Sequence, residues 1–171
     1  GTGFRNLSPE YARSYRQVPS STCWGIAQDK SGHIWFGFKQ LVCYDGSDFH
    51  TFGEEAGLPP QTTAYAVAQD IEGSLWVGGQ ELGRFDGRTF RPVPATLQGE
   101  VRKIQHDREG REWFCTHAEV LCFDGAEFHR FTTKDGLSYP MVNSMLQDRE
   151  GLFWFATWGG GVSCHDPHSI H

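Results

Sequence analysis

One pattern recurs four times along the chain. Gln28-Asp29-Lys30-Ser31-Gly32-His33-Ile34-Trp35-Phe36-Gly37 returns as Gln69-Asp70-Ile71-Glu72-Gly73-Ser74-Leu75-Trp76-Val77-Gly78 and as His106-Asp107-Arg108-Glu109-Gly110-Arg111-Glu112-Trp113-Phe114-Cys115. The fourth copy is Gln147-Asp148-Arg149-Glu150-Gly151-Leu152-Phe153-Trp154-Phe155-Ala156. The aspartates are spaced by 41, 37 and 41 residues, and so are the tryptophans. Each of the first three units continues into a second signature, Tyr44-Asp45-Gly46, Phe85-Asp86-Gly87 and Phe123-Asp124-Gly125, and then into an aromatic segment beginning at Phe49, Phe90 and Phe128. Asp-x-x-Gly between two apolar runs is a tight turn, because Asp bonds the backbone ahead of it and Gly takes positive φ. Asp-Gly between alternating segments is a hairpin signal. Four short strands in a period of about 40 residues form a β-propeller blade. The expectation is therefore an all-β chain, a β-propeller of four blades with four antiparallel strands each. The innermost strands should begin near 23, 64, 101 and 142. A parallel β-helix is the competing repeat architecture, but its units are shorter and carry fewer hairpin turns.

The last unit reaches Cys164-His165-Asp166-Pro167 without a fourth strand. Near the start, Ser14-Tyr15-Arg16-Gln17-Val18-Pro19 matches the fourth-strand segment Thr89-Phe90-Arg91-Pro92-Val93-Pro94. The N-terminal strand is expected to complete the last blade and close the ring, which covers edges that would otherwise recruit other chains. Residues 1–10 then remain as an arm, and 11–171 form a single propeller domain. The same arithmetic allows two chains to share an eight-bladed ring, so both a monomer and a homodimer stay open, as does a segment of a longer array.

Composition narrows the function classes. The net charge is −6 with no basic block, which disfavours a nucleic-acid binder. No apolar run approaches the roughly 20 residues of a membrane-spanning helix. Five cysteines without a Cys-x-x-Cys pair argue against a structural zinc site and for reduced, buried thiols. No cofactor is expected.

The repeats, together with the Asp135-Gly136-Leu137 segment that precedes the fourth unit, resemble two-component regulator propeller repeats over residues 14–167. In that family such repeats build the extracytoplasmic sensor part of bacterial hybrid histidine kinases, associated with carbohydrate sensing. The resemblance thus implies a periplasmic or extracellular sensor. The free cysteines point instead to the cytoplasm. Cys43, Cys122 and Cys164 stand where family members often carry Arg or Lys, and the chain holds neither a kinase segment nor a membrane helix.

Function must come from a site rather than from the fold. In a propeller, the loops that lead into the innermost strands share one face with the loops joining second and third strands, and residues there that break the repeat are the candidates. Five residues before each turn aspartate stand Trp24, Tyr65, Arg102 and Asn143. Aromatic, cationic and amide groups at one recurring position can build an asymmetric pocket at the tunnel mouth. Two residues further on, Ile26, Val67, Ile104 and Met145 read as core. The second-to-third strand loops add Lys39, Gln80, Glu81, His117, Glu119 and Trp158. One reading is a binding site for a small molecule or carbohydrate. Trp24, Tyr65 and Trp158 would supply stacking faces, and Arg102, Asn143, Gln80 and Lys39 hydrogen bonds. Another is a small hydrolase or lyase, with His117 as acid or base, Glu119 or Glu81 orienting it, and Arg102 stabilising negative charge. His117 with these carboxylates also leaves open a divalent metal at the mouth. A third is a face that binds another protein. Cys115, two residues before His117 on the same strand face, raises a Cys/His nucleophile pair, against a tightly packed thiol in a column of Gly37, Gly78 and Ala156.

Overall fold

The computed structural model describes residues 22–60 and 63–167. It is all-β. Blade 1 holds β1 (Gly25–Gln28), β2 (Ile34–Gly37), β3 (Leu41–Tyr44) and β4 (Phe49–Phe52). Blade 2 holds β5 (Ala66–Gln69), β6 (Leu75–Gly78), β7 (Leu82–Phe85) and β8 (Phe90–Pro92). Blade 3 holds β9 (Val101–His106), β10 (Glu112–Thr116), β11 (Val120–Phe123) and β12 (Phe128–Phe131). In blade 4 the described strands are β13 (Val142–Gln147), β14 (Phe153–Thr157) and β15 (Gly161–His165). Every sheet is an antiparallel meander in chain order, as the hairpin signals require. The segment expected to supply the fourth strand of blade 4, residues 14–19, lies outside the described residues.

The Asp-x-x-Gly turn does two jobs. In the first unit Asp29 Oδ1 accepts the backbone N–H of Ser31 and of His33, both at 2.9 Å. Its Oδ2 accepts the indole N–H of Trp35, also at 2.9 Å. The same indole bond joins Trp113 to Asp107 (2.8 Å) and Trp154 to Asp148 (2.7 Å). The turn therefore orients the ring that fills the gap to the next sheet. Gly32, Gly73, Gly110 and Gly151 close the four turns with φ between 80° and 95°, a region that side chains other than glycine disfavour.

Packing runs head to tail. The back of each blade presents its Trp, and the front of the next receives it. Trp35 meets Phe85 with 5.8 Å between ring centroids, Trp76 meets Phe114 at 4.9 Å, and Trp113 meets Phe153 at 4.4 Å. Three buried clusters result, one per blade junction. The Gly37 and Gly78 column is set by this close approach. A Cβ at Gly37 would lie 2.1 Å from the Ala64 carbonyl oxygen, and one at Gly78 would lie 2.6 Å from Val101 Cγ1. Cys115 fills the same column in blade 3 and is fully buried.

Position in the stack overrides position in the repeat. Val67, Ile104 and Met145 are buried as expected, but their counterpart Ile26 is 69 % exposed. Ile26 lies on the front of blade 1, where no described blade precedes it. Leu146, Trp154 and Val162, on the back of blade 4, are exposed for the same reason. The cysteines divide likewise: Cys43, Cys115 and Cys122 are buried, whereas Cys23 and Cys164 at the two ends of the stack are exposed.

Candidate functional site

In every blade the segment before the innermost strand is tied to the second-to-third strand loop. The Trp24 amide donates to the Gly37 carbonyl at 2.9 Å, and the Tyr65 amide to Gly78 at 2.8 Å. Val101 donates to Gly79 at 2.7 Å, and Trp158 to Met141 at 2.9 Å. These ties put the expected candidates at one end of the strands in every blade, with the Asp turns at the other end.

Four of them form a continuous run across three blades. The Trp24 indole meets Tyr65 edge to face with centroids 5.4 Å apart. The guanidinium of Arg102 lies 3.8 Å from the Tyr65 ring centroid, a cation–π contact. Arg102 Nε–H donates to His117 Nε2 at 3.0 Å, and Arg102 Nη2 pairs with Glu100 Oε2 at 3.0 Å. Because His117 accepts at Nε2, its neutral ring carries the proton on Nδ1. Two of the five guanidinium donors are used in these bonds, which fix the group while it stays partly exposed. Trp24, at the leading end of the run, is 40 % exposed. The result is an aromatic edge beside a positioned cation, able to stack a ring and donate hydrogen bonds.

The other candidates distribute differently. Glu119 does not join His117. Its carboxylate is fully buried, accepts the Gln98 N–H at 2.8 Å, and is paired with Arg130 from the outer strand of its blade. It staples the 93–100 connection to blade 3. Lys39, Gln80 and Glu81 are exposed on the loops of blades 1 and 2, and Asn143 and Trp158 are exposed on blade 4. Cys115 is ruled out as a nucleophile, because burial pushes its thiol up to about 12 and leaves no thiolate at neutral pH. Among the described residues, no three His, Cys, Asp or Glu side chains converge as a metal ion would need. Arg102 on His117 also places a positive charge where a divalent ion would have to sit.

Glu100, which anchors Arg102, follows a positive-φ glycine (Gly99) in a loop with no repeat counterpart. A further departure from the repeat lies away from this run. Arg84 stands in the column of Cys43, Cys122 and Cys164, and Glu112 in the apolar column of Ile34, Leu75 and Phe153. Glu112 is 2 % exposed, and neither carboxylate oxygen has a partner among the described residues. Burial, then the nearby Asp70, push its carboxyl up to about 7. Arg84 lies 4.6 Å over the Trp76 ring and pairs with Asp70 at 3.4 Å. Blade 2 thereby lacks the Trp–Asp bond of its neighbours.

The sequence pattern of the two component regulator propeller family matches residues 136–159, from the Gly136-Leu137 approach through the Asp148 turn and Trp154 to Gly159. The matched stretch covers the fourth repeat alone, which is similar to a two component regulator propeller repeat. Solved structures carry the same architecture. An extracellular domain of a hybrid two component system from B. thetaiotaomicron is 21 % identical, with a TM-score of 0.73 over 92 % of this chain and 23 % of that one. A second such domain from the same organism is 16 % identical, again with a TM-score of 0.73, over 91 % of this chain and 23 % of that one. Virginiamycin B lyase from Staphylococcus aureus is 14 % identical, with a TM-score of 0.61 over 86 % of this chain and 57 % of that one. The chain spans about a quarter of the sensor domains and a little over half of the lyase. At these identities the likeness establishes the propeller fold. No curated protein sequence matches the chain, and among the described residues no helix is long and apolar enough to cross a membrane.

Proposed function

We propose that the chain is a ligand-sensing propeller segment located outside the cytoplasmic membrane, and that it binds a small ring-bearing polar ligand, a carbohydrate by class, at the mouth formed by Trp24, Tyr65, Arg102 and His117. The observation that carries this reading is the run from Trp24 to His117 over three blades, in which Arg102 is held on the Tyr65 face with donors to spare. None of this geometry is needed to build a blade, because the repeat supplies its own packing through Trp35, Trp76 and Trp113. The likeness to extracellular sensor domains supports the same setting. The hydrolase or lyase reading is less favoured, since Glu119 is spent on Arg130 and His117 faces a cation rather than a carboxylate.

A thermal-shift screen of mono- and oligosaccharides and of aromatic acids, followed by calorimetry on the strongest binder, tests the reading. Trp24→Ala and Arg102→Ala are each expected to weaken that binder by about 10-fold or more, equivalent to about 1.4 kcal/mol. Unchanged affinity in both variants overturns the assignment.

A further inference from the structure

Five buried polar atoms at the junction of blades 2 and 3 have no hydrogen-bond partner among the described residues. They are Asp70 Oδ2, Trp76 Nε1, Arg84 Nε and both carboxylate oxygens of Glu112. Leaving one such atom unpaired is costly, so five together call for a physical reason. The four side chains face one another. Asp70, Trp76 and Glu112 are buried. Arg84 pairs with Asp70 at 3.4 Å and lies 4.6 Å over the Trp76 ring. Its guanidinium is also 5.8 Å from the ring of Phe123, which stands directly opposite Glu112 in the β10–β11 ladder. Arg84 therefore reaches from Asp70 towards Glu112.

A second arrangement of the same four side chains gives every one of these atoms a partner. In blades 1, 3 and 4 the repeat indole donates to Oδ2 of its turn aspartate at 2.7–2.9 Å. In blade 2 the Arg84 ion pair occupies Asp70 Oδ2, and the Trp76 N–H goes without that bond. If Arg84 turns to Glu112, its Nε–H and one Nη–H can donate side by side to the two carboxylate oxygens. The Trp76 N–H then donates to Asp70 Oδ2, as in the other blades. Asp70 Oδ1 keeps the backbone N–H groups of Glu72 and Ser74 throughout. None of the five atoms is left over.

We propose that the blade 2–3 junction is a two-position switch in which the proton on Glu112 chooses the partner of Arg84. Arg84 holds Asp70 while Glu112 is neutral, and holds Glu112 once it is ionised, leaving Asp70 to Trp76. A neutral carboxyl exerts little pull on a guanidinium, whereas a buried carboxylate exerts a strong one. Burial, then Asp70, hold the proton on Glu112 up to about 7. Of the other groups around it, Asp107 also opposes ionisation and Arg84 favours it. Asp107 is itself paired with Arg111 at 2.6 Å. Exposed Glu72 offers Arg84 a second partner at 3.4 Å in the first arrangement. Cys122 stays a neutral thiol, pushed up to about 12 by burial. His106, opposite Glu112 in the β9–β10 ladder, is exposed. Pairing with Arg84 offsets part of the cost of ionising Glu112, so the handover is centred at or below about 7. Desolvation of the buried pair keeps that ionisation unfavourable for folding.

The indole signals of the nitrogen-labelled chain, followed from about pH 5 to about pH 8, test the proposal. At the acid end the Trp76 proton should lie upfield of those of Trp35, Trp113 and Trp154, which already donate to aspartates. As pH rises it should move downfield towards them, with one midpoint at or below about 7. Glu112→Gln should hold the Trp76 signal at its acid position at every pH. Arg84→Met frees Asp70 for the indole and should hold the signal at its alkaline position. A Trp76 signal that stays fixed in the native chain overturns the proposal without either variant. So does a titration that persists in Glu112→Gln. An Arg84→Met protein with Trp76 still at the acid position also overturns it, since Arg84 would then not be what keeps the indole from Asp70.

Discussion

Replacing Trp113 with alanine is expected to cost about 3–5 kcal/mol of folding stability, the range for a fully buried large aromatic. The ring is 1 % exposed and sits at the junction of blades 3 and 4. It stacks on Phe131 with centroids 5.5 Å apart and meets Phe153 at 4.4 Å and Phe155 at 5.9 Å. Its indole N–H bonds to the buried Asp107, which also holds the turn through the Arg111 amide. Truncation would open a cavity between two sheets and leave part of a buried carboxylate without a donor. Neighbouring strands cannot collapse into that space without breaking their own ladders. Urea unfolding measures the loss, with Trp24→Ala as a comparison that should change stability by less than about 1 kcal/mol. A Trp113→Ala loss under about 1.5 kcal/mol would show that the repeat tryptophan is not what binds the blades together.

Glu112 carries the second large effect, and its sign depends on pH. Its folded carboxyl titrates near 7, above the usual 4.5, because it is buried and faces Asp70. A raised carboxyl pKa means that the folded state holds the proton more tightly than the unfolded state. Below about pH 4.5 both states are protonated and the residue costs nothing through ionisation. Between about 4.5 and 7 the unfolded chain releases its proton first, so stability falls as pH rises, by on the order of 3 kcal/mol in all. Turn carboxylates such as Asp29 and Asp148 act in the opposite direction. Their hydrogen bonds, including those from Trp35 and Trp154, hold them below the usual range, and their contribution disappears as pH falls below about 4. The melting temperature should therefore peak near pH 5 and decline towards pH 8. Glu112→Leu restores the apolar column of Ile34, Leu75 and Phe153. It should raise stability at pH 8 by about 1–3 kcal/mol and flatten the profile above pH 5. Adding Arg84→Cys should not simply add to this, because the two groups act on each other across the blade 2–3 junction. A Glu112→Leu protein less stable than the native chain at pH 8 would show that the ionised carboxylate is stabilised there.

The blade was legible because its determinants are local and repeated. Asp29, Gly32 and Trp35 lie within seven residues of one another, and the bonds they make are made within the same turn and strand. The neighbours in the candidate run were legible in part. The columns containing Trp24, Tyr65 and Arg102 followed from the period alone, and the structure brings these residues together with His117. Glu119 was not legible, because its partner Arg130 lies on the outer strand and the two meet only through the fold of blade 3. Ile26 was misread because burial depends on whether a blade stands in front of it, which a repeat pattern does not encode. Glu112 was visible as a break in an apolar column, and its significance came only from its position beside Asp70 and Arg84 in the neighbouring blade.

Six tryptophan indole signals in one proton–nitrogen spectrum offer the most direct test of the central division, in which the repeated residues build the stack and the residues that break the repeat bind the ligand. Trp35, Trp113 and Trp154 are tied to their turn aspartates, and Trp76 is buried under Arg84. Trp24 borders the Tyr65–Arg102 run. On titration with the strongest binder, the Trp24 indole signal should move in a saturable way while those of Trp35, Trp76, Trp113 and Trp154 stay fixed. A fixed Trp24 signal with shifts confined to the scaffold tryptophans would contradict it.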